Sequence, residues 1–142
     1  MRTLLLATMK NEGPFLLEWV AWHRLVGFDD IVVAQNDSDD LTAELLSCLE
    51  DIGAVTYLDN SDPGHAKVPG NHQGRAYSRI AALPMYAKAD WAIALDADEF
   101  IGVKIGAGNV RDLIDKIGGN VDQICIHWNL VGSNGLTRFE DD

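Results

Sequence analysis

Three carboxylates directly follow a short apolar segment in the middle of the chain. The segment is Trp91–Leu95, and it is followed by Asp96, Asp98 and Glu99. An uncharged apolar run of this length is typical of a strand buried on both faces, in which alternation would point Asp96 and Asp98 to the same side. Adjacent carboxylates repel unless a cation or a proton lies between them, and oxygen ligands suit Mg²⁺ or Mn²⁺. The pattern predicts a divalent metal held by Asp96 and Asp98, with an ordinary solvated turn as the alternative.

Two earlier predicted strands also end in polar clusters. They are Thr3–Met9, followed by Lys10–Glu12, and Ile31–Ala34, followed by Gln35–Asp40. In open α/β sheets, ligands bind beyond the carboxyl ends of the strands, where the strand order reverses. Acids converging on that edge suggest a cation together with a polyol or nucleotide ligand. For Asp39 and Asp40, capping of the next helix is an equally good explanation.

The elements that must position these clusters alternate between strand and helix. This alternation predicts an α/β fold with three layers, α/β/α, around a mostly parallel central sheet with right-handed crossovers. Two helices show apolar stripes, one formed by Phe15, Trp19, Trp22 and Val26 and the next by Leu41, Leu45, Cys48, Leu49 and Ile52. We interpret the tryptophans as core packing and His23 as a surface or boundary residue.

The second half of the chain contains more elements of the same kind. A strand is predicted over Ala54–Leu58 and a loop rich in Pro and Gly over Ser61–Asn71, after which a helix begins at His72. Pro84 should kink or tighten that helix. Farther along, the sequence predicts a short helix capped by Asn109, a last strand at Gln123–His127, and no regular pattern over Thr137–Asp142.

Composition narrows the classes of partner. The chain has 142 residues, 47% hydrophobic and 23% charged, which is globular composition, and its formal net charge of −11 argues against nucleic acid or an anionic membrane surface. Cys48 and Cys125 lack metal-like spacing and are interpreted as reduced core residues. With no convincing signal peptide and no apolar stretch of transmembrane length, a cytoplasmic location is predicted.

Four short motifs, taken in order and spacing, resemble a known family. They are Met9–Glu12 (MKNE), Asn36–Asp40 (NDSDD), His72–Arg75 (HQGR) and Leu95–Phe100 (LDADEF). Together they resemble the GT-A glycosyltransferases of the family 2-like group, and most closely the branch with KNE…EW..WH…GF and DxDEF motifs. The stretch 128–135 (WNLVGSNG) is similar to that branch too. The resemblance covers nearly the whole chain.

This resemblance implies the GT-A fold and the metal-assisted transfer of a sugar from a nucleoside diphosphate sugar to a saccharide or other hydroxyl acceptor. Arg75 would lie near the donor, Asp96 near the ribose or sugar, and Asp98 on Mn²⁺ or Mg²⁺. The nucleoside would face four residues at the ends of the first two strands: Asn11, Glu12, Asn36 and Asp37.

Members of that family have a longer C-terminal half that contacts the acceptor, often supplies a further metal ligand and, in inverting members, supplies the catalytic base. The resemblance therefore implies that residues 1–142 form a single nucleotide-sugar-binding domain without the acceptor half, and no catalytic base is assigned. A nucleotide-sugar-binding module that is inactive by itself remains the main alternative. A phosphoacceptor signalling domain is less favoured because Lys10–Glu12 is a poor acidic pair, and a sugar nucleotidyltransferase because Lys10–Gly13 is not a glycine-rich phosphate loop.

Overall fold

Four parallel strands form the centre of the molecule. The computed structural model describes residues 1–61, 72–118, 121–133 and 135. Within them the sheet has the order β3-β2-β1-β4, and its strands are β1 (Thr3–Met9), β2 (Asp30–Gln35), β3 (Thr56–Asp59) and β4 (Trp91–Ala94). From β1 the chain proceeds outward through β2 to β3, then crosses back to place β4 on the other side of β1. The strand order therefore reverses between β1 and β4, where an open sheet of this kind forms its ligand crevice.

Helices cover both faces of the sheet. They are α1 (Gly13–Leu25), α2 (Thr42–Asp51), α3 (His72–Ala81), α4 (Pro84–Lys88) and α5 (Val110–Ile117). One buried cluster joins strand residues such as Leu5 and Val33 to α1, α2 and α5, and a second joins Leu4 and Val32 to α3. Successive strand residues thus contribute to opposite layers, as the pleat requires. The predicted three-layer α/β/α architecture with a parallel sheet is confirmed.

The predicted position of α1 is correct, but part of its predicted buried face is wrong. Leu16, Trp19 and His23 are fully buried, whereas Phe15 and Trp22 are 50% and 38% exposed. Helix α1 carries apolar residues on most of its circumference, so spacing alone does not determine which of them face the sheet. The prediction that His23 lies at the surface is also wrong, because its ring is packed among aromatic side chains.

The second helix is likewise rotated relative to the predicted stripe. Leu46 and Leu49 are buried, whereas Leu41 and Ile52 are exposed. Cys48 and Cys125 are both exposed free cysteines, so their interpretation as core residues is wrong. The buried residues of α2 are Thr42 and the residues four and seven positions after it, Leu46 and Leu49, a spacing that leaves Cys48 on the outer side.

Strand β4 lies at an edge of the sheet within the described residues. It pairs with β1, and its residues alternate between half-buried Trp91 and Ile93 and exposed Ala92 and Ala94. The prediction of a strand buried on both faces is therefore wrong: Ile93 packs on the cluster beneath α1, while the alanines on the opposite face remain exposed.

Local signals located the remaining elements with mixed success. Pro84 starts a separate helix instead of kinking one, and Asn109 caps α5, as predicted, because its Oδ1 accepts a hydrogen bond from the Asp112 amide at 2.9 Å. The predicted strand Gln123–His127 is wrong, since residues 121–133 have no regular secondary structure. The predicted loop Ser61–Asn71 beyond its first residue and the segment Thr137–Asp142 lie outside the described residues. In the part of the chain that is described, no helix has the length and apolarity needed to cross a bilayer.

Candidate functional site

A cleft of about 600 Å³ opens between the carboxyl ends of β1 and β4. It lies at the reversal of strand order, where the architecture favours ligand binding. Two predicted metal ligands, Asp96 and Asp98, line it together with Glu12. The other lining residues are Thr8, Phe15, Glu18, Ala97 and Phe100. None of these five was predicted as a site residue, and their positions in a strand, a helix or a turn gave no specific signal.

The residues Asp96–Glu99 form a closed turn. The Glu99 amide donates to the Asp96 carbonyl at 3.1 Å, and the Asp96 amide donates to Glu99 Oε2 at 2.9 Å. Because β4 ends at Ala94, this turn, and not the alternation of a strand, places Asp96 and Asp98. Glu99 uses its carboxylate to close the turn, which leaves Asp96 and Asp98 as the acids of the triplet that line the cleft.

The carboxylates of the cleft disfavour one another's charge. Partial burial raises the pKa of Glu12, and the negative charges of Asp98 and Asp40 raise it further. Burial also raises the pKa of Asp96, with added repulsion from Glu99 and Asp98. Desolvation and nearby like charge both favour the protonated acid. A divalent cation in the cleft would relieve the same repulsion without protonation.

The carboxylate oxygens of the cleft suit a hard cation that also binds phosphate. Asp96 and Asp98 offer carboxylate oxygens, which Mg²⁺ and Mn²⁺ prefer. Among residues 1–61, 72–118 and 121–133, no three side chains of His, Cys, Asp or Glu are grouped closely enough to hold a metal by themselves. A cation here would therefore need ligands from elsewhere, and Mg²⁺ sites commonly take them from water and substrate phosphates. The metal remains a prediction.

The first two strand ends are joined by a hydrogen-bonded loop. Asn11 Oδ1 accepts from the Asp39 amide at 2.9 Å, and the Asn11 amide donates to Ser38 Oγ at 3.2 Å. Asn11 and Asp37 both adopt left-handed backbone conformations, with φ of 58° and 51°. Asn and Asp tolerate this region far better than most residues. These two predicted nucleoside contacts therefore also have a structural reason for their identity.

The remaining predicted residues at this edge lie outside the acidic cleft. Asn36 is buried, and its Nδ2 lies 3.4 Å from Asp37 Oδ2. The Asp37 amide donates to Ser61 Oγ at 2.7 Å, which connects the end of β2 to the end of β3. Asn11, Asn36 and Asp37 thus extend the polar edge beyond the cleft lining, and their nucleoside role stays a prediction.

Arg75 is held at the end of β3 by Asn60. Its Nε donates to Asn60 Oδ1 at 3.0 Å, and its Nη2 donates to the Asn60 carbonyl. Arg79 contacts the same amide oxygen at 3.2 Å, and Asn60 Nδ2 donates to the His72 carbonyl at 3.1 Å. Asn60 is 1% exposed and was not predicted as a site residue, although its place directly after a strand is the signal shared by the others.

The carboxylate of Asp40 accepts hydrogen bonds from the first residues of two helices. Its Oδ1 accepts from the Thr42 amide at 2.9 Å and its Oδ2 from the Gly13 amide at 3.0 Å, which joins the first residues of α2 and α1. A Cβ on Gly13 would come within 2.9 Å of Asp40 Oδ2, so any larger residue there would displace this carboxylate from its contact. A hydrogen bond from the Thr42 side chain is the largest cause that lowers the pKa of Asp40. The hydrogen bonds from the Thr42 and Gly13 amides lower it further. The carboxylate of Asp40 thus serves the start of α2 as the alternative for this residue expected, although Leu41 occupies the N-cap position; for Asp39 the backbone amide, not the side chain, makes the contact.

The raised pKa of Glu12 predicts a specific pH dependence. The folded protein keeps the Glu12 proton at a higher pH than the unfolded chain, whose group titrates near 4.5. Stability therefore falls as pH rises through the interval between that value and the raised one. We expect Glu12→Gln to lack this loss, so its stability relative to wild type should increase from acidic to neutral pH. Urea unfolding over that range measures the difference, and a difference independent of pH would contradict the prediction.

Comparison with known proteins gives a sequence match and several partial structural ones. No protein-family model matches the chain. It is 25% identical over 131 residues, 90% of its length, to a glycosyltransferase family 92 protein of Ricinus communis. That relative is a glycosyltransferase by name. The chain spans 22% of the relative's length.

Solved structures with partial likeness come from S. aureus TarS. Crystal structures of TarS 1–349, alone and in complex with UDP, match 71% of this chain and 28% of theirs, with identities of 14% and 17% and TM-scores of 0.46 and 0.48. A further TarS structure matches 71% of this chain and 17% of its own at a TM-score of 0.48.

Proposed function

We propose that this chain forms the donor-binding part of a glycosyltransferase that uses a nucleoside diphosphate sugar and a divalent metal. The observation that carries the proposal is the acidic cleft at the reversal of strand order, where Asp96 and Asp98 meet Glu12. The sequence similarity to a glycosyltransferase over 90% of the chain supports the same reaction class. The GT-A type of the fold belongs to this proposal.

The proposed chemistry explains why anionic side chains would surround an anionic substrate. Transfer breaks the bond between the anomeric carbon and a diphosphate oxygen and forms a bond from that carbon to the acceptor oxygen, whose hydroxyl proton passes to a base or to solvent. Negative charge therefore develops on the departing diphosphate. Mn²⁺ or Mg²⁺, when bound, would supply Lewis-acid stabilisation of that charge. Asp98 and Asp96 would hold the cation, and Asp96 would also orient ribose or sugar hydroxyls.

The other predicted residues receive complementary roles. Asn11, Glu12, Asn36 and Asp37 would contact the nucleoside along the edge formed by the ends of β1 and β2. Arg75, which does not line the acidic cleft, would reach the diphosphate from the end of β3 and add a fixed positive charge. The acceptor, a saccharide or other hydroxyl compound, would be bound with the help of residues beyond those assigned here.

Two alternatives differ from this proposal in testable ways. A binding module without activity shares every feature of the cleft, and hydrolysis of a nucleotide sugar by the chain would separate the two. A phosphoacceptor signalling domain fits less well, because the order β3-β2-β1-β4 differs from the 2-1-3-4-5 order typical of such domains.

The proposal is tested by calorimetry with nucleoside diphosphates, each titrated with Mn²⁺, with Mg²⁺ and with a chelator. We expect at least one diphosphate to bind in the presence of metal and to lose affinity in chelator. Nucleotide sugars carrying the preferred base would then identify the donor. Equal affinity with and without metal would remove the metal from the proposal, and no binding of any diphosphate would overturn it.

Replacement of Arg75 tests the diphosphate contact. A hydrogen bond between charged groups contributes about 1.5–3 kcal/mol, so Arg75→Ala should reduce the preference for a nucleoside diphosphate over the bare nucleoside by about tenfold or more. Because Arg75 also contacts Asn60, the thermal midpoint of the variant is measured alongside. Equal losses for both ligands would mean that Arg75 acts only through the end of β3.

A further inference from the structure

Helix α1 contacts the acidic turn through the indole of a fully buried tryptophan. Trp19 Nε1 lies 3.0 Å from the Asp96 carbonyl and 3.0 Å from the Glu99 carbonyl. One N–H group is therefore shared between the first and the last carbonyl of the turn. Trp19 is 0% exposed, so water cannot replace either contact without opening the structure. A buried donor without an acceptor is costly, which makes the helix and the turn depend on each other.

A second tryptophan, three residues later on α1, contacts the chain just after the turn Asp96–Glu99. Trp22 Nε1 donates to the Ile101 carbonyl at 2.8 Å. The two indoles thus hold three carbonyls between residues 96 and 101 against one helix. Trp22 is 38% exposed, so its hydrogen bond is less isolated from water than that of Trp19. This difference makes Trp22 a matched control for Trp19.

The buried histidine of α1 keeps the Trp19 ring in place. His23 Nδ1 lies 2.8 Å from the Trp19 carbonyl, and the two ring centroids are 4.4 Å apart. The carbonyl can only accept, so Nδ1 carries the proton, and burial lowers the pKa of His23 so that the ring is neutral. On its other side His23 stacks on Phe100 at 5.8 Å with a 19° interplanar angle. Phe100 in turn lines the cleft.

We infer that Trp19 is a positioning residue: its indole N–H fixes the turn Asp96–Glu99 in the geometry that presents Asp96 and Asp98 to the cleft. The inference rests on the proposed function only where it concerns metal and nucleotide. Its structural part stands on the two hydrogen bonds of Trp19. It gives the EW..WH motif a role in the acidic site, beyond the core packing expected of its tryptophans.

The sharpest test removes the N–H and keeps the shape of the ring. Incorporation of benzothienylalanine at position 19 replaces the indole N–H by sulfur at nearly constant volume, and Trp19→Phe is the encoded counterpart. Hydrogen exchange of the Asp96 and Glu99 amides, measured by NMR without metal, should accelerate about fivefold to tenfold. The amides of Leu6 and Val32 in the β1–β2 pair should keep their rates. The same analogue at position 22 should leave Asp96 and Glu99 unchanged.

Two results would overturn the inference: unchanged exchange at Asp96 and Glu99, or equal acceleration throughout the sheet. If Trp19→Phe fails to fold, the isosteric analogue still decides the question. Incorporation of 7-azatryptophan at position 19 retains the N–H. In contrast to benzothienylalanine, it should leave exchange of the Asp96 and Glu99 amides at the wild-type rate.

A second measurement connects the turn to the proposed function. Loss of an outer contact to a metal ligand commonly costs about 10–100-fold in metal affinity, so Mn²⁺ binding to the benzothienylalanine protein should weaken within that range. Wild-type protein that binds neither Mn²⁺ nor a nucleoside diphosphate would overturn the proposed function, while the exchange result would still test the role of Trp19. Normal Mn²⁺ affinity together with faster exchange would overturn the inference that Trp19 positions Asp96 and Asp98 for the metal.

Discussion

Asp98→Asn is expected to abolish the metal dependence of nucleoside diphosphate binding. The substitution keeps the size of the side chain but removes the charge that would bind the cation. Outer contacts of metal ligands are worth about 10–100-fold in affinity, so loss of a ligand itself should cost at least as much. Calorimetry with and without Mn²⁺ measures the effect.

The fold should survive the same substitution. Asp98 contributes to the raised pKa of both Glu12 and Asp96, so removal of its charge relieves repulsion in the cleft. We expect an unchanged or higher thermal midpoint. Asp51→Asn makes the same charge change at an exposed residue of α2 and controls for net charge. Asp96→Asn should weaken metal binding less and nucleotide-sugar binding more. An Asp98→Asn protein that still binds diphosphate only with Mn²⁺ would contradict the assignment.

Asn60→Ala should be among the most destabilising single substitutions at this end of the sheet. Asn60 is 1% exposed, and its side chain contacts Arg75, Arg79 and the His72 carbonyl. Three side-chain hydrogen bonds would be lost, and each typically contributes about 0.5–1.5 kcal/mol, so we expect a loss of about 2–4 kcal/mol. Urea unfolding monitored by circular dichroism gives the value.

Asn109→Ala is the matched control for that experiment. It makes the same chemical change at a residue whose side chain accepts one hydrogen bond, from the Asp112 amide. Loss of such a helix cap typically costs about 1 kcal/mol. Equal losses at the two positions would mean that the contacts of Asn60 contribute no more than a single cap.

The sequence predicted elements well where a local signal determines them. Asn109 marks a helix start as predicted, and Gly27, with φ of 94°, follows the end of α1 as expected of a C-terminal glycine. The four strands were found because each is short and mainly apolar, and because β2, β3 and β4 each follow a helix. The edge position of β4 was not predictable, because it depends on which strands pair with it.

Burial within helices was harder to predict, and for a physical reason. In α1 the apolar residues surround most of the axis, so Leu16 and Phe15 are equally plausible inward residues until the sheet is present. His23 was misplaced because histidine is usually near the surface, whereas here three aromatic rings surround it. Tertiary packing decides such cases.

The candidate site was predicted in part. Asp96, Asp98 and Glu12 were named from strand ends, and the structure places all three in one cleft. The turn that presents the aspartates depends on Trp19, which lies 77 residues away from Asp96 in the chain. Sequence patterns relate residues that are only a few positions apart. They therefore gave no indication that a tryptophan of α1 contacts this turn.

The left-handed backbone at Asn11 and Asp37 limits which residues evolution can place there. A β-branched side chain at either position would be strained by its own Cβ, whatever ligand the protein binds. Glycine would fit the backbone as well as Asn or Asp does. Related sequences should therefore vary among Asn, Asp and Gly at these two positions if only the backbone conformation is selected. Wherever glycine is absent from that variation, selection has acted on the side chain itself.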